Sequence, residues 1–173
     1  MQRWNVLLTS YRNERDFLLE ELDNYPGTFT PVEFRDVLIG FVKDKKQLLE
    51  AVKENYIPSL SRLIPLDSTF HFRIGTFKEK VQEAIDPLTK KIGKEDTFAV
   101  RCERRGFEGE LSSQEIEREI GSYVWKKLEA RSINPEVDLE DPDLLIVIEI
   151  VGPRAGVGLI DKELREKYEV IQV

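Results

Sequence analysis

The eight residues Leu144–Val151, LLIVIEIV, constrain the fold more than any other stretch of this 173-residue chain. Seven are aliphatic and one is a glutamate. A run this apolar is too hydrophobic for the edge of a sheet and predicts a central strand with a neighbour on each side. Upstream, Phe98–Gly106 (FAVRCERRG) sets Phe98, Val100 and Cys102 against Arg101, Glu103 and Arg105, the two-residue period of a strand, and ends in two arginines and a glycine. Between the two strands, Leu111–Ile120 (LSSQEIEREI) opens a helix. Ser112 and Glu115 have capping-box spacing, and Ile116, Ile120, Tyr123, Val124 and Leu128 fall on one face. Asn134-Pro135 closes that helical segment, and Val137–Asp143 (VDLEDPD) reads as an acidic turn leading into the apolar strand.

The first 70 residues follow a different rhythm. Val6–Thr9 reads as a strand. A helix capped by Asn13 follows, with Phe17, Leu18 and Leu22 on one face, and Tyr25-Pro26-Gly27 ends it. Val32–Val42 reads as a second strand, Lys45–Tyr56 as a helix burying Leu48, Leu49, Val52 and Tyr56, and Leu60–Leu66 as a third strand. This strand–helix–strand–helix–strand order predicts a ferredoxin-like lobe over residues 1–70. Phe70–Ile74 reads as a linker strand. Phe77, Val81, Ile85, Leu88 and Ile92 then define an amphipathic helix that Pro87 is expected to bend. After the apolar strand, Gly152–Ala155 reads as a turn, Gly156–Ile160 as its partner strand, and Tyr168–Val173 as a last strand. The glycines of that turn, GPRAGVG, lack the lysine of a P-loop and fall one residue short of an acetyltransferase pyrophosphate loop, so a hairpin is expected.

Taken in order, the strand with its basic exit, the capped helix, the acidic turn and the apolar strand resemble the core of the THUMP domain. The resemblance covers roughly residues 74–173. It implies an α/β protein of the α+β type, a ferredoxin-like lobe over 1–70 followed by a THUMP domain over 71–173. THUMP domains are RNA-binding modules of tRNA-modifying proteins. A chain that stops at Val173, with no room for a catalytic domain after it, is similar to the stand-alone THUMP adaptors of tRNA cytidine acetylation. That likeness implies tRNA as partner, held by its acceptor and CCA end for a separate acetyltransferase that makes N4-acetylcytidine. It also implies no catalytic residue and no cofactor in this chain. Many relatives carry a basic residue directly after the serine that caps the helix; here the position is Ser113.

The charge balance qualifies the RNA reading without removing it. The net charge is −7. Residues 71–131 nevertheless carry 13 basic and 12 acidic groups, and residues 132–173 carry 4 and 10. Affinity for nucleic acid follows the local patch that meets phosphate, so a modest, salt-sensitive interaction through the middle of the chain is expected. Its candidate contacts are Arg101, Arg104 and Arg105 on the strand, whose planar forks suit phosphate. Lys78, Lys90, Lys91 and Lys94 come from the preceding helix, and Lys126, Lys127 and Arg131 from the following one. Arg154 joins them from the hairpin. Ser112 and Ser113 open a helix whose first N–H groups offer an anion seat.

Other chemistry is sparsely provided. With one histidine, His71, and one cysteine, Cys102, a transition-metal site is not expected. Cys102 has no disulfide partner in the chain and reads as a small buried hydrophobe, which suits a reducing cytoplasm. The first 16 residues lack the pattern of a secretory leader, and no apolar run approaches the roughly 18 residues of a membrane span. Dense mixed charge with a single methionine leans towards a thermophile. Trp4 and Trp125 read as packing anchors. Two alternatives stand beside the adaptor: a small RNA-modifying enzyme using His71 or the acidic turn, and a protein-interaction scaffold with little RNA affinity.

Overall fold

The computed structural model describes residues 3–173. They divide into two compact units, the first made of the residues up to Leu66 together with Leu164–Gln172, the second of Asp67–Glu163 and Val173.

In the first unit the chain runs β1 (Val6–Ser10), α1 (Arg15–Glu21), β2 (Thr28–Pro31), β3 (Val37–Phe41), α2 (Lys45–Glu54) and β4 (Leu60–Pro65). The strands form an antiparallel sheet in the order β2-β3-β1-β4, so Leu8 lies opposite both Leu38 and Leu63. That is the ferredoxin-like arrangement. The strand expected over Val32–Val42 is in fact the second half of a hairpin. Polar Glu33, Arg35 and Asp36 interrupt the apolar run, Asp36 turns the chain at φ 60°, and Arg15 donates to the carbonyls of Val32 and Phe34 at 2.9 and 3.3 Å. Pro31, which has no N–H to donate, sits at the end of the edge strand.

Two helix details also depart from expectation. Asn13 does not cap α1: it adopts φ 63° and its N–H donates to Asp36 Oδ1 at 3.0 Å, leaving Glu14 as an N-cap with no side-chain bond. Phe17 and Tyr56 are exposed, while Leu18, Leu22, Leu48, Leu49 and Val52 are buried. Helix α2 stops at Glu54, before Tyr56 could share its buried face, and begins on Asp44, whose carboxylate accepts from the N–H groups of Lys46 and Gln47.

The second unit runs β5 (Ser68–His71), α3 (Phe77–Thr89), β6 (Thr97–Arg105), α4 (Ser113–Ala130), β7 (Glu136–Val137), β8 (Leu144–Val151) and β9 (Arg154–Asp161). Its sheet order is β5-β9-β8-β6-β7, which places the apolar run β8 at the centre. Strand β6 pairs with β8 in parallel from Phe98↔Leu144 to Arg105↔Val151, with α4 as the crossover. Strands β8 and β9 form the expected hairpin, closed at Gly152 with φ 57°, a conformation that favours glycine. The expected linker strand is shorter and earlier than Phe70–Ile74, and as β5 it is an integral edge of this sheet, antiparallel to β9. Helix α3 continues two residues past Pro87 to Thr89.

One face of the sheet packs on both helices. Val81, Ile85 and Leu88 from α3 and Ile116, Ile120, Val124 and Leu128 from α4 meet Phe98, Val100, Cys102, Ile146, Ile148 and Ile150. Each such side chain contributes about 1.5–3 kcal/mol by leaving water. The helices run in the same direction: Lys78 pairs with Glu119, the Tyr123 hydroxyl donates to Asp86, and Arg131 donates to the Thr89 carbonyl. The N-termini of α3 and α4 therefore lie at the end where β6 and β8 finish, and their C-termini at the opposite end.

The last strand expected over Tyr168–Val173 does not form. A short helix, α5 (Lys162–Lys167), carries the chain back to the first unit, where Tyr168 is buried, its hydroxyl donates to Glu50, and the Val170 carbonyl accepts from Leu63 N–H at 3.0 Å. A buried ring, rather than a ladder, anchors this segment. No helix among the described residues is long and apolar enough to cross a membrane.

Candidate nucleic-acid interface

The thirteen residues singled out as RNA contacts do not form one patch. Lys78, Arg104, Arg105, Ser112, Ser113 and Arg154 lie where β6 and β8 end and the helices begin. Here the cations are engaged by the fold. Arg105 contacts Glu149 at 2.8 Å and Glu103 at 3.1 Å, and its side chain is only 12% exposed against 2% for Glu149. Glu149, the one charge in the central strand, stands directly beside Glu103 across the ladder, so Arg105 serves both the Glu149 carboxylate, which burial would otherwise penalise, and that of the half-exposed Glu103. Of the two arginines at the strand exit, Arg105 turns its fork inward to Glu149, and Arg104 donates to the Gly106 carbonyl. Ser112 Oγ accepts from Glu115 N–H at 3.3 Å, which gives this serine a capping role, and Lys78 faces Glu119 at 3.5 Å. Exposed Glu108, Glu110 and Glu115 surround the same end. Burial pushes the neighbouring Cys102 thiol up to about 12.

The other end carries Lys90, Lys91, Lys94, Lys126, Lys127 and Arg131. Two of these clamp α4 to α3. Arg131 donates to the carbonyls of Thr89 and Ile92 at 2.6 and 3.4 Å, satisfying the last turn of α3. Lys127 lies 3.5 Å from Asp86 and 5.3 Å from the centre of the Tyr123 ring, and the Tyr123 hydroxyl followed by the Asp86 charge raises its pKa. Lys90, Lys91, Lys94 and Lys126 are exposed and have no ion-pair partner among the described residues. The nearby carboxylates are partly occupied: Asp86 by Tyr123 and Lys127, Asp96 by Gly93 N–H at 2.7 Å. Exposed Glu95 and Glu129 remain. The acidic turn lies at this end too, with Asp143 on Thr97 and Asp138 N–H on the Phe98 carbonyl, so what sets the end apart is its lysines without ion-pair partners among the described residues, not its net charge.

Arg101 belongs to neither end. It lies midway along β6, on the side that β7 leaves open after Phe98, and donates to the carbonyls of Val100 and Leu139. Trp4 is packed, at 3% exposure, but Trp125 beside Arg101 is 37% exposed, so only the first is the anchor expected of both. The acidic turn does structural work. Asp138 accepts from the N–H groups of Glu140 and Asp141, and Asp143 accepts from the Thr97 N–H at 2.9 Å and hydroxyl at 3.1 Å; these bonds hold both carboxyls below the usual range. His71 lies in edge strand β5, its ring without a hydrogen-bond partner among the described residues, and its carbonyl accepts from Lys80. No group of three or more histidine, cysteine, aspartate or glutamate side chains suited to a metal ion gathers among the described residues.

Residues 75–159 match the THUMP domain, so the second unit contains one. A probable tRNA sulfurtransferase of Methanocaldococcus jannaschii is 29% identical over 136 residues, covering 75% of this chain and 31% of its own length. The fold is shared with TrmN from Thermus thermophilus (TM-score 0.64, 21% identity, 91% of this chain and 45% of that one). It is also shared with a 4-thiouridine synthetase solved with RNA and ATP (TM-score 0.55, 16% identity, 91% and 41%). The chain spans under two fifths of the length of the curated relatives it matches.

Proposed function

We propose that this chain binds tRNA through the lysine-rich end of its second unit and serves tRNA modification in the cytoplasm as a non-catalytic module. It presents the acceptor end of tRNA to a separate enzyme. The observation that carries this reading is the gathering of Lys90, Lys91, Lys94 and Lys126, all without ion-pair partners among the described residues, at one end of a THUMP domain. Phosphate is the ligand that four solvated ammonium groups on a rigid scaffold favour, even in a chain of net charge −7. The names of similar proteins, a tRNA sulfurtransferase and a 4-thiouridine synthetase bound to RNA, agree with it.

For the partner, the resemblance to stand-alone adaptors supports a cytidine acetyltransferase, whereas the same relatives' names favour a thiolating enzyme. Nucleoside mass spectrometry separates these. With acetyl-coenzyme A and tRNA alone the protein should form no N4-acetylcytidine. Added to the cognate acetyltransferase it should raise the yield by positioning the substrate. Acetylcytidine from this protein alone would make it the enzyme. A gain seen only in thiolated uridine, with a sulfurtransferase, would move the partner to thiolation. Trimming the CCA tail should weaken tRNA binding, and equal affinity for trimmed tRNA would remove end recognition.

A further inference from the structure

Beyond phosphate contact, and resting on the tRNA reading above, we propose that the groove along the open edge of β6 receives one unpaired nucleobase of the bound RNA, stacked on Trp125. The groove is a cavity of about 410 Å³ with walls from Phe98 and Val100 of β6, Gly121, Ser122 and Trp125 of α4, and Leu139 of the acidic turn. That volume falls within the range of small-ligand sites. Its walls are apolar and unfilled: Trp125 is 37% exposed and Leu139 61%. An indole presented at the lip of an apolar cleft offers the flat face on which bases of any identity stack.

Gly121 adds an independent sign. It sits in the middle of an 18-residue helix, where glycine weakens the helix by about 0.5–1 kcal/mol relative to alanine. Packing does not require it, because a Cβ at this position would meet nothing within 4 Å. What the glycine does is leave the wall of the groove open.

The alternative occupant of an open strand edge is another strand, and here the edge is guarded. Three backbone groups on this edge of β6, on Phe98, Val100 and Cys102, are already engaged. The Phe98 carbonyl accepts from Asp138 N–H at 3.1 Å, the Val100 carbonyl from Arg101 at 3.4 Å, and the Cys102 N–H donates to Glu117 Oε1 at 2.9 Å. A peptide added to this edge would have to displace all three bonds. A base needs none of them broken. The charges agree with a nucleotide: Arg101 and Arg118 flank the cavity, Arg118 is exposed without an ion-pair partner among the described residues, and the one carboxylate lining the cavity, Glu117, is occupied by Cys102 N–H. Lys126 follows Trp125 directly, so a strand whose base enters the groove can continue over the lysine-rich end. Gln114 on the lining brings an amide with a donor and an acceptor for a base edge.

The chain has two tryptophans, so a Trp4→Phe background makes Trp125 the sole indole reporter. A single-stranded tetraribonucleotide and a tRNA, titrated separately, should each quench its emission. Trp125→Ala should weaken oligonucleotide binding about 5- to 150-fold, the loss of one stacked base. Gly121→Leu, which fills the cavity and removes no charge, should weaken it similarly, and neither change should alter the salt slope. If RNA binds with a normal salt slope while Trp125 emission stays unmoved and both variants bind like the parent, the nucleobase site is overturned and the tRNA reading survives. Quenching by an extended peptide but not by the oligonucleotide would also overturn it. Failure of any RNA to bind at low salt would instead remove the tRNA reading itself.

Discussion

The two ends of the second unit carry the same basic residue types and hold them differently. Where β6 and β8 finish, Arg105 is held by Glu149 and Glu103, Arg104 by the Gly106 carbonyl and Lys78 by Glu119. At the other end Arg131 and Lys127 are likewise tied to α3, yet Lys90, Lys91, Lys94 and Lys126 beside them have no ion-pair partner among the described residues. A basic residue at a strand exit looks like a phosphate ligand until its partner is known. A buried guanidinium with two carboxylates already satisfies its charge and has little field left for RNA, whereas an exposed ammonium without a counter-ion keeps its field in solvent. The difference between a cation held in the fold and one left to solvent here is whether the fold supplies an acceptor, a carboxylate or a carbonyl, not the cation's own chemistry.

The largest expected effect breaks the first end. Arg105→Ala leaves Glu149 buried beside Glu103 and should lower unfolding stability by about 3 kcal/mol, measured by urea denaturation. Replacing Arg105 and Glu149 together by apolar residues of similar volume should recover most of that loss. No recovery would mean that the ion pair is not what holds the site. A smaller effect sharpens the second end. Arg131→Ala removes the donor to the Thr89 and Ile92 carbonyls and should cost about 1.5 kcal/mol, the lower end of the scale for a hydrogen bond to a charged group, while alanine at Lys90, Lys91, Lys94 or Lys126 should stay within about 0.5 kcal/mol of the parent. A lysine variant as destabilised as Arg131→Ala would place that lysine in the fold.

Much of this unit is legible in the sequence because its signals are local. Ile116, Ile120, Val124 and Leu128 recur at helical spacing, Ser112 caps that helix, and LLIVIEIV has no stable place but a sheet centre. What escapes local reading depends on partners far along the chain. Glu149 lies 44 residues from Arg105, and nothing near either marks them as a pair. The β2–β3 hairpin was hidden because Val32 and Phe34 extend the apolar character of β3 through its turn. The groove had two traces that could have been read, a glycine in mid-helix at Gly121 and apolar Val137 and Leu139 within an acidic turn, but their convergence on the edge of β6 needs the fold.

The central claim is that the lysine-rich end, not the strand exit, meets phosphate. The most direct test is the salt dependence of tRNA binding by the parent and by a variant with Lys90, Lys91, Lys94 and Lys126 all changed to alanine. Each lost phosphate contact should reduce the slope of log affinity against log salt by roughly one unit, so the variant should lose up to about four units with its unfolding curve unchanged. A variant that binds tRNA with the parent's affinity and slope would contradict the account.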